Sequence, residues 1–224
     1  MLWHIFLNNI MPLGVFIILG CLLGRGLLSW SGALSREYES ELDTFIPIRG
    51  TVAESRWLLA ISGALPLLCA VAAYIFHGLQ YPNILYVFIV SLFLIQFSLT
   101  DFLWQVIFDK QLALFALLGL TRLLLSGQGL MDGLVAAAVG FAVFLLLAVI
   151  TRGGFGGGDV KLVGAMGLWL GSDLLLVTVI MGIIMGGIMA LLLLITKKRS
   201  RKDYFPYGPY FAITGMVLFL LCVQ

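Results

Sequence analysis

Apolar and polar positions alternate on the scale of whole helices rather than of single turns. Runs that are apolar on every side cover roughly residues 5–30, 57–77, 83–108, 111–125, 130–150, 160–171, 174–196 and 207–223. A helix that is apolar all round belongs in a large core or in lipid, and hydrocarbon ~30 Å thick takes about 20 such residues. The pattern therefore predicts an all-α polytopic membrane protein of about eight transmembrane helices, forming one membrane domain over residues 1–224. The sixth run is short for that thickness, so it must tilt, start inside the protein or merge with the seventh.

Composition strengthens this picture. Of 224 residues, 62% are hydrophobic and 11% charged, against about 25% charged in a soluble domain. Little chain is left for a separate soluble domain. The first run has neither a basic leader nor a small-residue cleavage site, and reads as a retained span. Cys21, Cys69 and Cys222 stand singly inside apolar runs with no CxxC spacing, as buried packing residues would.

The net charge of +2 matters less than its distribution. Counted alternately, the connections of one side hold Arg36, Arg49, Arg56, Lys110, Arg152 and the run Lys197, Lys198, Arg199, Arg201 and Lys202. The other side has Arg122 as its exception, near the end of a span. The positive-inside rule makes the basic side cytoplasmic and puts both termini outside. The run "KKRSRKD" is a topology anchor that could also hold anionic headgroups; no nucleic-acid partner is expected.

Within 83–108 the charged residue is Asp101. An acid at depth costs ~2.5–3.5 kcal/mol on insertion scales, so it marks a functional site by default; the competing reading is a helix-packing hydrogen bond. Asp109 follows eight positions later beside Lys110. On a continuous helix it would be ~12 Å from Asp101. A boundary anchor or exposed ion pair suits it as well as chemistry does.

The second acid ends an unusual stretch, "TRGGFGGGDVKL", with five glycines in six positions before Asp159. Glycine followed by Asp and an apolar run is a common helix N-terminus, but a cap alone does not need so many glycines. Positions without side chains admit an extended peptide or a bend. A phosphate cradle fits poorly, because the stretch lacks GxxxxGK[ST] and an acid would repel the anion.

The predicted topology brings Asp101 and Asp159 to the cytoplasmic face. Two neighbouring carboxylates repel, so the pair keeps one proton between them. Its ionised member can take a proton from attacking water while the protonated one polarises a peptide carbonyl. His4 and His77 fall towards the outer face and supply no Ser/His or Cys/His set.

"GGGDVKLVGAMGLWLG" resembles the GxGD segment of the type 4 prepilin peptidases, bacterial intramembrane aspartic proteases. "LTDFLWQVIFD" resembles that family's other aspartate segment, and "FPYGPYFAITG" its Pro-x-Gly-Pro segment before the last helix. The order matches, and the resemblance covers about residues 56–224 as a GxGD peptidase core.

The resemblance implies a catalytic pair Asp101 and Asp159, with Gly156 and Gly158 as the GxGD glycines. Pro206, Gly208 and Pro209 would shape the neighbouring wall, with Asp109 and Lys161 as supporting or substrate-binding positions. It further implies cutting of a prepilin or pseudopilin between a basic leader and its apolar helix, at the cytoplasmic face of the inner membrane. The chain departs from the family at Phe108, where proline is usual before the second acid.

It departs again in the first cytoplasmic loop, residues 31–56. Many members carry two CxxC pairs there, implying zinc in a region associated with methylation from S-adenosylmethionine. This loop has no cysteine, which speaks against zinc and against methylation, so no cofactor is expected. Its "SREYESELD" could contact a basic leader, although a solvated face explains it too. The competing functions are a transporter or channel with cation- or proton-binding acids near the midplane, and an inactive relative acting as a scaffold.

Overall fold

The computed structural model describes residues 20, 22–37, 56–77, 83–127, 129–151, 154–196 and 205–222. Apart from short connections they are helical, with no strand among them. The helices are α1 (22–37), α2 (Arg56–His77), α3 (Asn83–Trp104), α4 (Asp109–Ser126), α5 (Leu130–Ile150), α6 (Gly157–Ile195) and α7 (Gly208–Cys222). Among the described residues, α3, α5 and α6 are long and apolar enough to cross a membrane. His4, Cys21, Arg152, the acidic stretch from 38 and the basic run 197–202 lie outside them.

The described residues fall into two compact units. One is drawn from residues up to Gln96 together with Leu220 onward; the other is Phe97–Phe219. In the first, α1 and α2 approach backbone to backbone. A Cβ on Gly24 would lie 2.8 Å from the Ser62 carbonyl carbon and 2.9 Å from Gly63 N. The buried Gln96 amide donates to Ser31 Oγ at 2.7 Å. Such a bond is how a polar side chain is carried at a helix–helix contact.

Helix α1 continues to residue 37, into the stretch assigned to a loop from residue 31. The hydroxyls of Ser31 and Ser35 bond back to the carbonyls of Leu27 and Gly32, so the polar sequence "SGALSRE" is accommodated in helix. Cys69 is a packing residue at 7% exposure, whereas Cys222 is exposed on the last turn of α7 rather than buried.

The second unit is organised around α6. As one straight helix its 39 residues would be ~58 Å long, about twice the ~30 Å of hydrocarbon. Instead it breaks at Gly171, with φ 71° and ψ −177°, a combination essentially confined to glycine. The two arms run in opposite senses past α5. Asp132 meets Ser172, Gly140 faces both Val163 and Leu175, and Phe144 packs on Phe155 and Phe211. The sixth and seventh apolar runs are thus separate arms joined at a tight turn.

Glycines set the spacing of this unit, as they do where helices pack in lipid without a hydrophobic drive between them. Gly182 and Gly186 on the second arm receive Phe211 and Tyr207 of the α7 segment, and Gly119 of α4 receives the Trp169 indole. A Cβ on Gly167 would sit 2.6 Å from Ala137 Cα and 2.7 Å from the Ala136 carbonyl carbon. Since backbone cannot yield as a side chain can, Gly167→Ala is expected to destabilise by about 1–3 kcal/mol, read as a lower Tm in detergent.

Candidate active site

Asp101 sits on the last turn of α3, which the Gln105 N–H closes onto the Asp101 carbonyl at 2.9 Å. Gln105 takes φ 56°, uncommon without a glycine, and the chain then runs extended to Phe108 before α4 begins at Asp109. The helix predicted over 83–108 is therefore broken after Trp104. The ~12 Å spacing of Asp101 and Asp109 on one continuous helix does not apply.

Asp159 is the third residue of α6. Gly156 is its N-cap, in extended backbone, and the Gly156 N–H donates to Asp159 Oδ2 at 3.1 Å. The capping role and the site role therefore coincide: the first turn of α6 fixes the rotamer that presents the carboxylate. Gly158 lies beside Ile107, where a Cβ would be 3.2 Å from Ile107 Cβ; Gly157 is exposed with open space around it.

The third segment is the start of α7. Pro206, Gly208 and Pro209 are all buried, and Pro209 in the first turn costs no helical hydrogen bond. The Gly208 backbone N–H faces the Asp101 carboxylate. A Cβ on Gly208 would lie 2.6 Å from Asp101 Oδ2 and 3.2 Å from Ile107 Cδ1.

Three distant stretches, 101–107, 156–159 and 206–209, thus converge, with Ile107 touching the other two. Asp101 and Asp159 are each 2% exposed and close enough to repel one another. Asp101 Oδ2 is fully buried at this junction, against the start of α7.

An aromatic wall flanks the site. Phe155 packs on Phe144 at 5.3 Å and on Tyr207 at 4.9 Å between ring centroids, and Phe205 stacks on Tyr210 at 5.6 Å. Ile107, Phe155 and Tyr207 carry no mark in the sequence. Each is one apolar residue among many, and nothing local marks it.

Asp109 and Lys161 come together with each other. Lys161 Nζ reaches both Asp109 carboxylate oxygens at 2.7 Å, with both side chains about half exposed at 48% and 55%. The pair joins the start of α4 to the second turn of α6, and both residues line an open apolar groove of about 530 Å³. Because exposed pairs contribute ~0–1 kcal/mol, Asp109→Asn or Lys161→Met should change Tm little and cleavage by no more than about threefold.

Fold and site together define an all-helical membrane protein with a closed centre of two carboxylates, each held at a helix end. Residues 87–191, which carry both acids, match the model of the type IV leader peptidase family. The chain is 29% identical over 128 residues to the prepilin leader peptidase/N-methyltransferase of Bacillus subtilis, covering 57% of this chain and 52% of that one. Proteins of the same description from Xanthomonas campestris and Pseudomonas aeruginosa are 36% and 32% identical over 91 and 94 residues. Those alignments cover 38% and 40% of this chain and 32% of each relative. The matches therefore span from about a third to about half of the relatives' length. No solved structure matches. The resemblance read from the two aspartate segments is borne out over this region.

Proposed function

We propose that the protein is an intramembrane aspartyl endopeptidase that removes the leader from type IV prepilins or pseudopilins, with Asp101 and Asp159 as its catalytic pair. The observation that carries this reading is the meeting of two buried carboxylates from the end of α3 and the start of α6. The similarity of the intervening chain to prepilin leader peptidases supports it.

The pair shares one proton. Its ionised member removes a proton from water as the oxygen attacks the scissile carbonyl, while the protonated member donates a hydrogen bond to that carbonyl oxygen. The tetrahedral adduct collapses as the amine leaves with a proton returned by the pair. No covalent intermediate on the protein is required. Gly156 and Gly158 keep side chains away from the path of an extended peptide.

In this reading the chain crosses the bacterial inner membrane about eight times, with both termini outside. The acids lie near the cytoplasmic face, as the distribution of Lys and Arg favours. Both sit in terminal turns of their helices, whereas transport acids belong near the midplane. The chain is not proposed to methylate the new N-terminus, since the stretch 31–56 lacks the cysteine pairs that go with that activity.

The test is co-expression with a tagged prepilin from the same genome, reading leader removal on a gel and N-terminal mass by spectrometry. Shortening by the length of the leader, with an unmodified amine, is expected. An unshortened prepilin beside membrane-inserted wild-type chain would reject the reading.

A further inference from the structure

We propose that Arg122, Asp132 and Gly171 form a clasp at the far end of the α6 hairpin that positions Asp159, as residues acting through the helix rather than on the substrate. The inference rests on the peptidase reading for its catalytic consequence, and on geometry alone for its structural one.

The arm that carries Asp159 ends at Gly171, twelve residues further on. A helix stopped there leaves carbonyls without partners, and the arm that starts there leaves N–H groups without them. Two charged side chains meet these needs, each with the sign the helix dipole favours. Arg122 Nη1 donates to the Trp169 carbonyl at 3.1 Å, at the negative end of the first arm. Asp132 Oδ2 accepts the Ser172 N–H at 3.1 Å, at the positive end of the second, and its other oxygen takes the Ser172 hydroxyl.

Gly171 is required twice over. Its φ of 71° with ψ near 180° excludes side chains, and a Cβ there would collide with Asp132 Oδ2. Neighbouring contacts stiffen the arm. Trp169 Nε1 donates to the Phe115 carbonyl at 3.0 Å, and its ring stacks on Phe115. The Arg122 guanidinium lies 5.8 Å from the Phe219 ring centroid.

Twelve residues of helix make a lever ~18 Å long. A tilt of only ~3° at the clasp would move the Asp159 end by about 1 Å, and misplacement on that scale lowers turnover about a hundredfold. The hydrogen bonds of these two side chains therefore do more than close a turn. They set the angle at which α6 presents its acid to Asp101, and they do so without touching the peptide.

The test uses the full chain in detergent with two readouts. The first is kcat and KM on the prepilin. Asp132→Ala and Gly171→Ala are expected to lower kcat by about ten- to a hundredfold with KM within about twofold. Asp132→Asn, which can still accept the Ser172 N–H, should recover to within about threefold of wild type.

The second readout does not depend on activity: disulfide formation between Ile107→Cys and Gly158→Cys, with Cys21, Cys69 and Cys222 replaced by Ala. The Cβ positions at 107 and 158 are 3.2 Å apart, near bonding range. Cross-linking should be fast in the parent and slow once Asp132→Ala is added. If Asp132→Ala and Gly171→Ala lower Tm but leave kcat per folded molecule and the cross-linking rate unchanged, the clasp only holds the fold and the inference is overturned. If the wild type cleaves no prepilin, the peptidase reading fails, and the cross-linking comparison still decides whether the clasp sets the position of the α6 N-terminus.

Discussion

Asp101→Asn and Asp159→Asn are each expected to lower leader cleavage by about 10²- to 10⁴-fold, the range attributed to a single positioned acid or base, while the protein inserts as before. Both substitutions preserve volume in sites that are 2% exposed, so packing is not disturbed. On the proposed mechanism, what each removes is the ability of the pair to hold one proton between two carboxylates.

Asp159→Asn is the more telling variant, because Asp159 also caps α6. An asparagine oxygen can still accept the Gly156 N–H now bonded to Oδ2 at 3.1 Å, so the first turn survives and only the chemistry is lost. Asp159→Ala loses both, with a cap contribution of about 1 kcal/mol added to the catalytic defect. Leader removal on a gel, normalised to protein in the membrane fraction, measures the first effect; Tm in detergent measures the second. Full cleavage by either asparagine variant would rule out the dyad. Asp109→Asn serves as the control, since its carboxylate is spent on an exposed pair with Lys161.

Much of the helical framework is legible along the chain, because in a membrane protein the apolar run is itself the signal. Even the short sixth run is real, as the first arm of α6. The glycine at which the arms reverse falls in "GSD", where polar residues interrupt the run. The Asp159 cap is equally legible, being a contact between residues three apart.

What escapes the sequence is of two kinds. The first is a break without punctuation: α3 ends at Trp104, before Gln105 with its positive φ, in "FLWQVIFD", which has neither glycine nor proline. The helix yields there to tertiary placement of the segment 105–108, whose Ile107 and Phe108 are buried. The second kind is long-range. Nothing local to Ile107 or Gly208 says that they meet at a carboxylate. Nothing local to Arg122 says that this basic residue, the exception in the distribution of Lys and Arg, meets the Trp169 carbonyl. Its exception to the charge distribution has a structural explanation: it finishes a helix inside the protein.

Gly208→Ala is expected to lower cleavage about a hundredfold, through displacement of Asp101 rather than through loss of any hydrogen-bonding group. The added methyl would arrive 2.6 Å from Asp101 Oδ2 and 3.1 Å from Cγ, with Ile107 Cδ1 at 3.2 Å closing the other side. The carboxylate cannot swing away freely, being 2% exposed on a helix terminus, so either Asp101 shifts against Asp159 or the start of α7 backs off. Each changes the distance on which the proposed sharing of a proton depends. The glycines of the other segment make a graded comparison. Gly158→Ala meets only the Ile107 side chain, at 3.2 Å from Cβ, and should be milder; at Gly157 nothing lies within 4 Å. Since Gly156 takes φ −72° and ψ 153°, a conformation open to any residue, the glycines at this helix start are not there for backbone geometry. Cleavage assays on Gly157→Ala and Gly157→Val then separate their remaining uses. If Gly157 leaves room for the substrate backbone, KM rises with side-chain size while Tm stays constant. If it serves movement of the loop, kcat falls already with alanine and does not fall much further with valine.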